Sequence, residues 1–217
     1  MVVWRTFLCL FLLLGFRGAG VVGAPVVGLD LSGSSSRPTG WALLRGLWVE
    51  ARHLYGDDEI LGFTSACKPA LVAIDAPLNL PGEGAMREAD RLMHRLGYPV
   101  LPPGFPGMRE LTTRATKLAG ELQRRGLRVI EVHPASTRKA LNMPVKDWAE
   151  IQRVYLSMGL RGDVESRRLS RHELDAVAAA LTARLHTLGL TRLVGRGDAC
   201  IVLPVERDWR WLVGRIG

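Results

Sequence analysis

Beyond residue 25 the chain alternates between short apolar runs and clusters of turn residues. Val26-Val-Gly-Leu-Asp-Leu31 is apolar and β-branched, which predicts a buried strand. Gly33 to Gly40 is a turn-rich break. Trp41–Leu44 and Leu47–His53, parted by Gly46, read as two further strands, and three strands on short turns predict an antiparallel meander. Asp57 to Cys67 reads as a short helix. Leu71-Val-Ala-Ile-Asp75 is a strand stopped by Ala76-Pro77. Arg87 to Leu96 keeps helical spacing, and Pro99 to Pro106 is a Pro/Gly-rich loop. Met108, Leu111, Ala115, Leu118, Ala119 and Leu122 mark a helix ending at Gly126. Leu127 to Val132 is a strand stopped by His133-Pro134, and Lys146 to Met158 is helical. Ser170 is suited to cap a long helix from Arg171 to Leu188, ended by Gly189, before a short last strand, Cys200–Leu203. A meander followed by strands alternating with helices predicts a mixed α/β sheet.

A length of 217 residues with 47% hydrophobic positions suits one domain with a sizeable core, set at residues 25–217. Residues 1–24 form a separate apolar segment. Its run from Thr6 to Phe16 is shorter than the ~20 residues a membrane span needs. It has the length of a signal-peptide core, with Gly18-Ala19-Gly20 after it, and a mis-assigned start would leave the same trace. Arg17 directly after the run argues against export, so a cytoplasmic protein without a stable membrane span is expected. Three cysteines, Cys9, Cys67 and Cys200, make neither a CxxC pair nor a metal-ligand spacing. The formal net charge of +8 favours a polyanionic partner, DNA or RNA.

The acidic residues sharpen that reading. Asp30 lies in the first strand, Asp75 ends the fourth and Glu131 lies near the end of the fifth. A carboxylate in an apolar strand is costly to bury unless paired or bound to metal. In open α/β sheets ligands gather at the carboxyl ends of strands. His172 and Asp175, at i and i+3, share one face of the last helix in its first turn, where Asp175 also suits the helix dipole. Together Asp30, Asp75, Glu131 and Asp175 form a candidate ligand set for Mg²⁺ or Mn²⁺, with His172 as a ligand or a group that positions water. Such a set serves two-metal phosphodiester hydrolysis. Arg87 and Asp90, a turn apart, make an ion pair or bind a substrate phosphate. His133 orients Glu131 or contacts substrate, and Ser32 and Ser34 in the loop after Asp30 contact a phosphate or make the turn. Trp41 reads as core, and Arg114 and Lys117 as a solvated helix face.

Five segments in order carry a resemblance: Gly28-Leu-Asp-Leu-Ser-Gly33, Ala73-Ile-Asp-Ala-Pro-Leu78, Arg87-Glu-Ala-Asp-Arg91, Val129-Ile-Glu-Val-His-Pro134 and His172-Glu-Leu-Asp-Ala-Val177. They resemble the family called domain of unknown function 429, described as predicted nucleases with an RNase H-like fold. The likeness runs from Val26 to Pro204. The acid placement is also similar to that of RuvC-type resolvases. By that resemblance Asp30 bridges metal, Asp75 fills the fourth-strand position, His172 and Asp175 fill the late-helix pair, and the protein acts as a homodimer. Two other functions stay open. A phosphotransferase of the sugar-kinase and actin superfamily shares the fold, although a second Asp-x-Gly phosphate loop is missing. A non-catalytic nucleic-acid-binding protein would keep both charge and fold.

Overall fold

The expected meander is present: β1 (Val26–Asp30) pairs antiparallel with β2 (Thr39–Arg45), and β2 with β3 (Trp48–Leu54). The computed structural model describes residues 23–197 and 199–217, so the apolar run of the N-terminal segment lies outside the described residues. After α1 (Asp57–Ala66), β4 (Leu71–Asp75) lies parallel to β1 on its other side. Helices α2 (Glu88–Arg95) and α3 (Pro106–Arg124) lead to β5 (Val129–Glu131), parallel to β4. Then come α4 (Pro134–Ala140), α5 (Trp148–Ser157), a two-residue β6 (Arg161–Gly162), α6 (Asp163–Ser166) and the long α7 (Arg171–Thr187). A hairpin of β7 (Thr191–Arg196) and β8 (Ala199–Pro204) completes the sheet, with β8 parallel to β5. The strand order is β6-β3-β2-β1-β4-β5-β8-β7. An antiparallel meander whose first strand continues into parallel neighbours, with helices on both faces, is the RNase H-like arrangement.

Strand parity divides the core. Val26, Ala42, Leu44, Leu71 and Ala73 face one way, against α5 and α7. Val27, Leu29, Trp41, Leu43, Val72 and Ile74 face the other, against α1 and α3. Both faces are therefore covered, which is why these strands read as continuous apolar runs. Trp41 is core, as expected, and its indole N–H donates to Thr64 Oγ1 at 3.1 Å.

Helix α7 sits unusually close to the sheet. A Cβ on Gly28 would lie 2.1 Å from Ala176 O, and one on Gly40 would lie 2.0 Å from His172 O. Only glycine at these two positions admits the helix backbone. Ala176, Ala178, Ala179, Ala180 and Ala183 are all buried, so the helix is apolar around its circumference and packed on both sides. Ser170 caps it as expected, its Oγ accepting from Glu173 N at 3.2 Å, while Glu173 accepts from Ser170 N at 2.9 Å. Besides the short β6, α6 and the 3-10 turn Trp209–Leu212, two elements escaped the sequence reading. Helix α4 spans seven residues, too few to set up a helical period, and β7 is a half-exposed edge strand lacking a continuous apolar run. Among the described residues, no helix is long and apolar enough to cross a membrane.

Candidate active site

Asp30 and Asp75 are register partners across the parallel β1–β4 pair. Their side chains therefore leave the sheet side by side, on the face that α7 covers. The contacts at Gly28 and Gly40 bring the first two turns of α7 down onto this corner. There His172 Nδ1 meets Asp30 Oδ2 at 2.5 Å, and Asp175 Oδ1 accepts from Arg138 Nη1 at 2.5 Å. The Asp75 carboxylate makes no hydrogen bond among the described residues. Burial pushes its proton affinity well above the usual carboxylate range, and the charges of Asp30 and Asp175 push it further. Burial also raises Asp175, against the pull of Arg138. The hydrogen bond to Asp30 holds the His172 imidazolium above its ordinary pKa, in spite of partial burial.

Glu131 does not join these three acids. In the β4–β5 register it is level with Ile74, not Asp75, so its side chain leaves the opposite face of the sheet. There it is tied up: Arg87 Nη2 and Nη1 donate to its two oxygens at 2.6 and 2.8 Å, and Leu78 N donates at 2.8 Å. The Arg87–Asp90 ion pair is present, with Nη2 to Oδ1 at 2.7 Å, and Arg87 also donates to Asn79. With Nε engaged by Asp90 as well, no N–H of Arg87 is left for a substrate phosphate, which corrects that expectation. Glu131 and Arg87 form a buried brace for the floor of the site instead.

His133 lines the same cleft as Asp30, Asp75 and Glu131, and its Nδ1 pairs with Ser136 Oγ at 2.7 Å. Burial, aided by the charge of Arg138, lowers its pKa to about 4, so it is neutral at physiological pH. The opposite wall is apolar, from Leu101, Met108 and Leu111. Ser32 Oγ bonds to Ser34 O at 2.7 Å, and Ser34 Oγ to Ser36 Oγ at 2.8 Å, so both serines brace their own loop.

Two arginines were missed. Arg114 is nearly buried rather than solvated, donating to Ser32 O and Asp57 Oδ1 at 2.8 Å and to Tyr55 O at 2.7 Å. The signal was present, since Arg114 falls inside the apolar stripe between Leu111 and Leu118. Arg138 lies on the unforeseen α4 and gave no signal.

In the side-chain arrangement described, Asp30 faces His172 and Asp175 faces Arg138. Among the described residues, no three His, Cys, Asp or Glu side chains stand in ligating geometry.

A family model described as "Protein of unknown function (DUF429)" matches residues 28–199. Among solved structures, the chain is similar to RuvC of Thermus thermophilus in complex with a Holliday junction substrate, at 16% identity and a TM-score of 0.45, covering 76% of this chain and 96% of that one. It is similar to a second structure of Thermus thermophilus RuvC, at 16% identity and a TM-score of 0.42, covering 82% and 99%. It is also similar to the nuclease domain of the large terminase subunit gp2 of bacterial virus Sf6, at 12% identity and a TM-score of 0.32, covering 85% and 78%. No curated protein matches the chain.

Proposed function

The chain belongs to the DUF429 family of unknown function, and we propose that it is a metal-dependent nuclease hydrolysing phosphodiesters of DNA or RNA. One observation carries the reading: Asp30 and Asp75 lie side by side on one sheet face while Asp175 arrives on the same face from α7. Three carboxylates at one corner repel one another, and burial first, with that repulsion added, raises the proton affinities of Asp75 and Asp175. Either protons or a hard cation must relieve it, and an all-oxygen donor set is what Mg²⁺ and Mn²⁺ prefer. The residues present therefore fit such an ion, which Asp75 would hold together with the Asp30 and Asp175 oxygens that His172 and Arg138 leave free. Glu131 is left out of the ligand set.

A bound divalent ion would supply Lewis-acid polarisation of the scissile phosphate and a more acidic water. The chain's own residues do the rest. Asp30 fixes His172 through Nδ1, leaving Nε2 as the nitrogen that takes a proton from water or returns one to the leaving oxygen. Neutral His133 offers a hydrogen bond to a phosphate oxygen without adding charge. The loop holding Ser32 and Ser34, pinned by Arg114, borders the cleft and contacts the adjacent phosphate.

The test is cleavage of labelled single-stranded, duplex, hybrid and junction substrates with Mg²⁺, Mn²⁺ or chelator, for the wild type and Asp30→Asn. Metal-dependent cleavage lowered at least about a hundredfold in the variant, with circular dichroism unchanged, is the expected result. Equal activity in the variant refutes the assignment.

A further inference from the structure

The acidic cluster already holds a cation of its own. Arg138, on α4, is 2% exposed and ion-paired with Asp175. Its guanidinium lies 5.4 Å from the centre of the Trp148 ring, and its Nε is buried without a partner among the described residues. The reach of its charge is not confined to Asp175. It offsets the mutual repulsion at Asp75 and disfavours the proton on His133. An arginine does not surrender its proton inside a protein, so this charge is permanent.

A permanent cation changes the number of metal ions the site accommodates. Asp30, Asp75 and Asp175 bring three negative charges, and His172, neutral when it accepts a proton from water, adds none to the balance. One divalent ion together with Arg138 matches them. Two divalent ions beside Arg138 would leave two positive charges in excess before a phosphodiester, with its single negative charge, arrives. Excess charge of either sign is costly away from water. The chemistry of the acids alone suits a two-ion site, whereas the acids with Arg138 suit one ion.

We propose that Arg138 stands in for a second metal ion, so that the carboxylate site binds a single divalent cation per chain. This rests on the reading of Asp30, Asp75 and Asp175 as metal ligands. Arg138 works through Asp175 and the local field, so it is a positioning residue, not one that touches substrate.

Metal-stripped full-length chain titrated with Mn²⁺, followed by calorimetry and electron paramagnetic resonance, counts the ions without any substrate. The wild type is expected to bind one Mn²⁺ with an uncoupled spectrum, lost in Asp30→Asn. Arg138→Lys, which keeps the charge, is expected to stay at one. Arg138→Gln is expected to admit a second Mn²⁺ and to show the dipolar broadening of ions about 4 Å apart. Two coupled ions in the wild type, or a single ion in Arg138→Gln, overturns the proposal and leaves the metal reading standing. No Mn²⁺ that depends on Asp30 overturns both. If Arg138→Gln does not fold, Arg138→Met, which removes the same charge, reads the same count, and two coupled ions in the wild type overturn the proposal without any variant.

Discussion

Asp75 and Glu131 end neighbouring strands, yet their surroundings differ in kind. Asp75 faces two other acids and makes no hydrogen bond among the described residues, whereas Glu131 is neutralised by Arg87. The first leaves negative charge unbalanced, as the proposed ligand role requires, and the second is the environment of a brace. Breaking a buried ion pair from one side strands a charge, at a cost of about 3–5 kcal/mol. Arg87→Met, which strands both Glu131 and Asp90, is expected to lose that much in urea unfolding, and adding Glu131→Gln is expected to recover part of it. Equal stability of Arg87→Met and wild type would remove the brace. His133 makes a pH prediction. Folded, it stays neutral down to about pH 4, whereas unfolded it takes up a proton near pH 6.5. In between, the unfolded chain binds more protons, so stability falls as pH drops through that window, by up to about 3 kcal/mol. His133→Asn is expected to flatten this part of the stability–pH curve, which thermal unfolding from pH 4 to 7 would measure. Asp30, Asp75, His172 and Asp175 were legible in the sequence because charge in apolar strands and i, i+3 spacing are local patterns. The face that Glu131 takes was not legible, because strands buried on both sides carry no alternation to fix it.

Helix α7 connects the fold to the site, since its first two turns deliver His172 and Asp175. Its length, Ser170 cap and alanine content were legible, because capping and helical period are properties of one segment. Its seat on Gly28 and Gly40 was not, because close approach depends on which strand lies beneath. The same limit hid α4 and therefore Arg138: seven residues after His133-Pro134 carry too little periodicity to declare a helix. The seat makes a sharp comparison possible. Gly28→Ala drives a methyl into the α7 backbone, whereas Gly62→Ala, on α1, meets nothing within 4 Å. The first is expected to cost about 1–3 kcal/mol and to lower cleavage by displacing His172 and Asp175. The second is expected to be neutral or to gain up to about 1 kcal/mol from helix propensity. Denaturant titration of both variants, with cleavage rates alongside, separates a crowded helix seat from a general intolerance of alanine. Matching behaviour of the two would remove the glycine seat as the reason α7 stands where it does.

For the whole molecule, the net charge of +8 matters only where it faces the cleft. Some of the arginine is spent internally: Arg87, Arg114 and Arg138 are buried and paired, so they add nothing to the surface that meets a polyanion. On α3 the positions four apart, Arg109, Thr113 and Lys117, point outward and share a groove with Ser34 and Ser35. That groove adjoins the cleft, since Gly33 lies against Leu111, which lines the cleft wall. A phosphodiester backbone entering at Asp30 would continue along this groove, with Arg109 and Lys117 each neutralising one phosphate. Each such contact releases counterions, so affinity falls with salt and each lost contact lowers the log–log slope by about 1. Replacing Arg109 and Lys117 together by Ala is expected to reduce that slope by about 2 in fluorescence-anisotropy titrations of labelled DNA, performed on an Asp30→Asn background to prevent cleavage. In the active chain the same pair is expected to raise KM and leave kcat unchanged, because both side chains stand outside the carboxylate corner. An unchanged salt slope would route the nucleic acid over another face and leave α3 as a wall of the cleft alone.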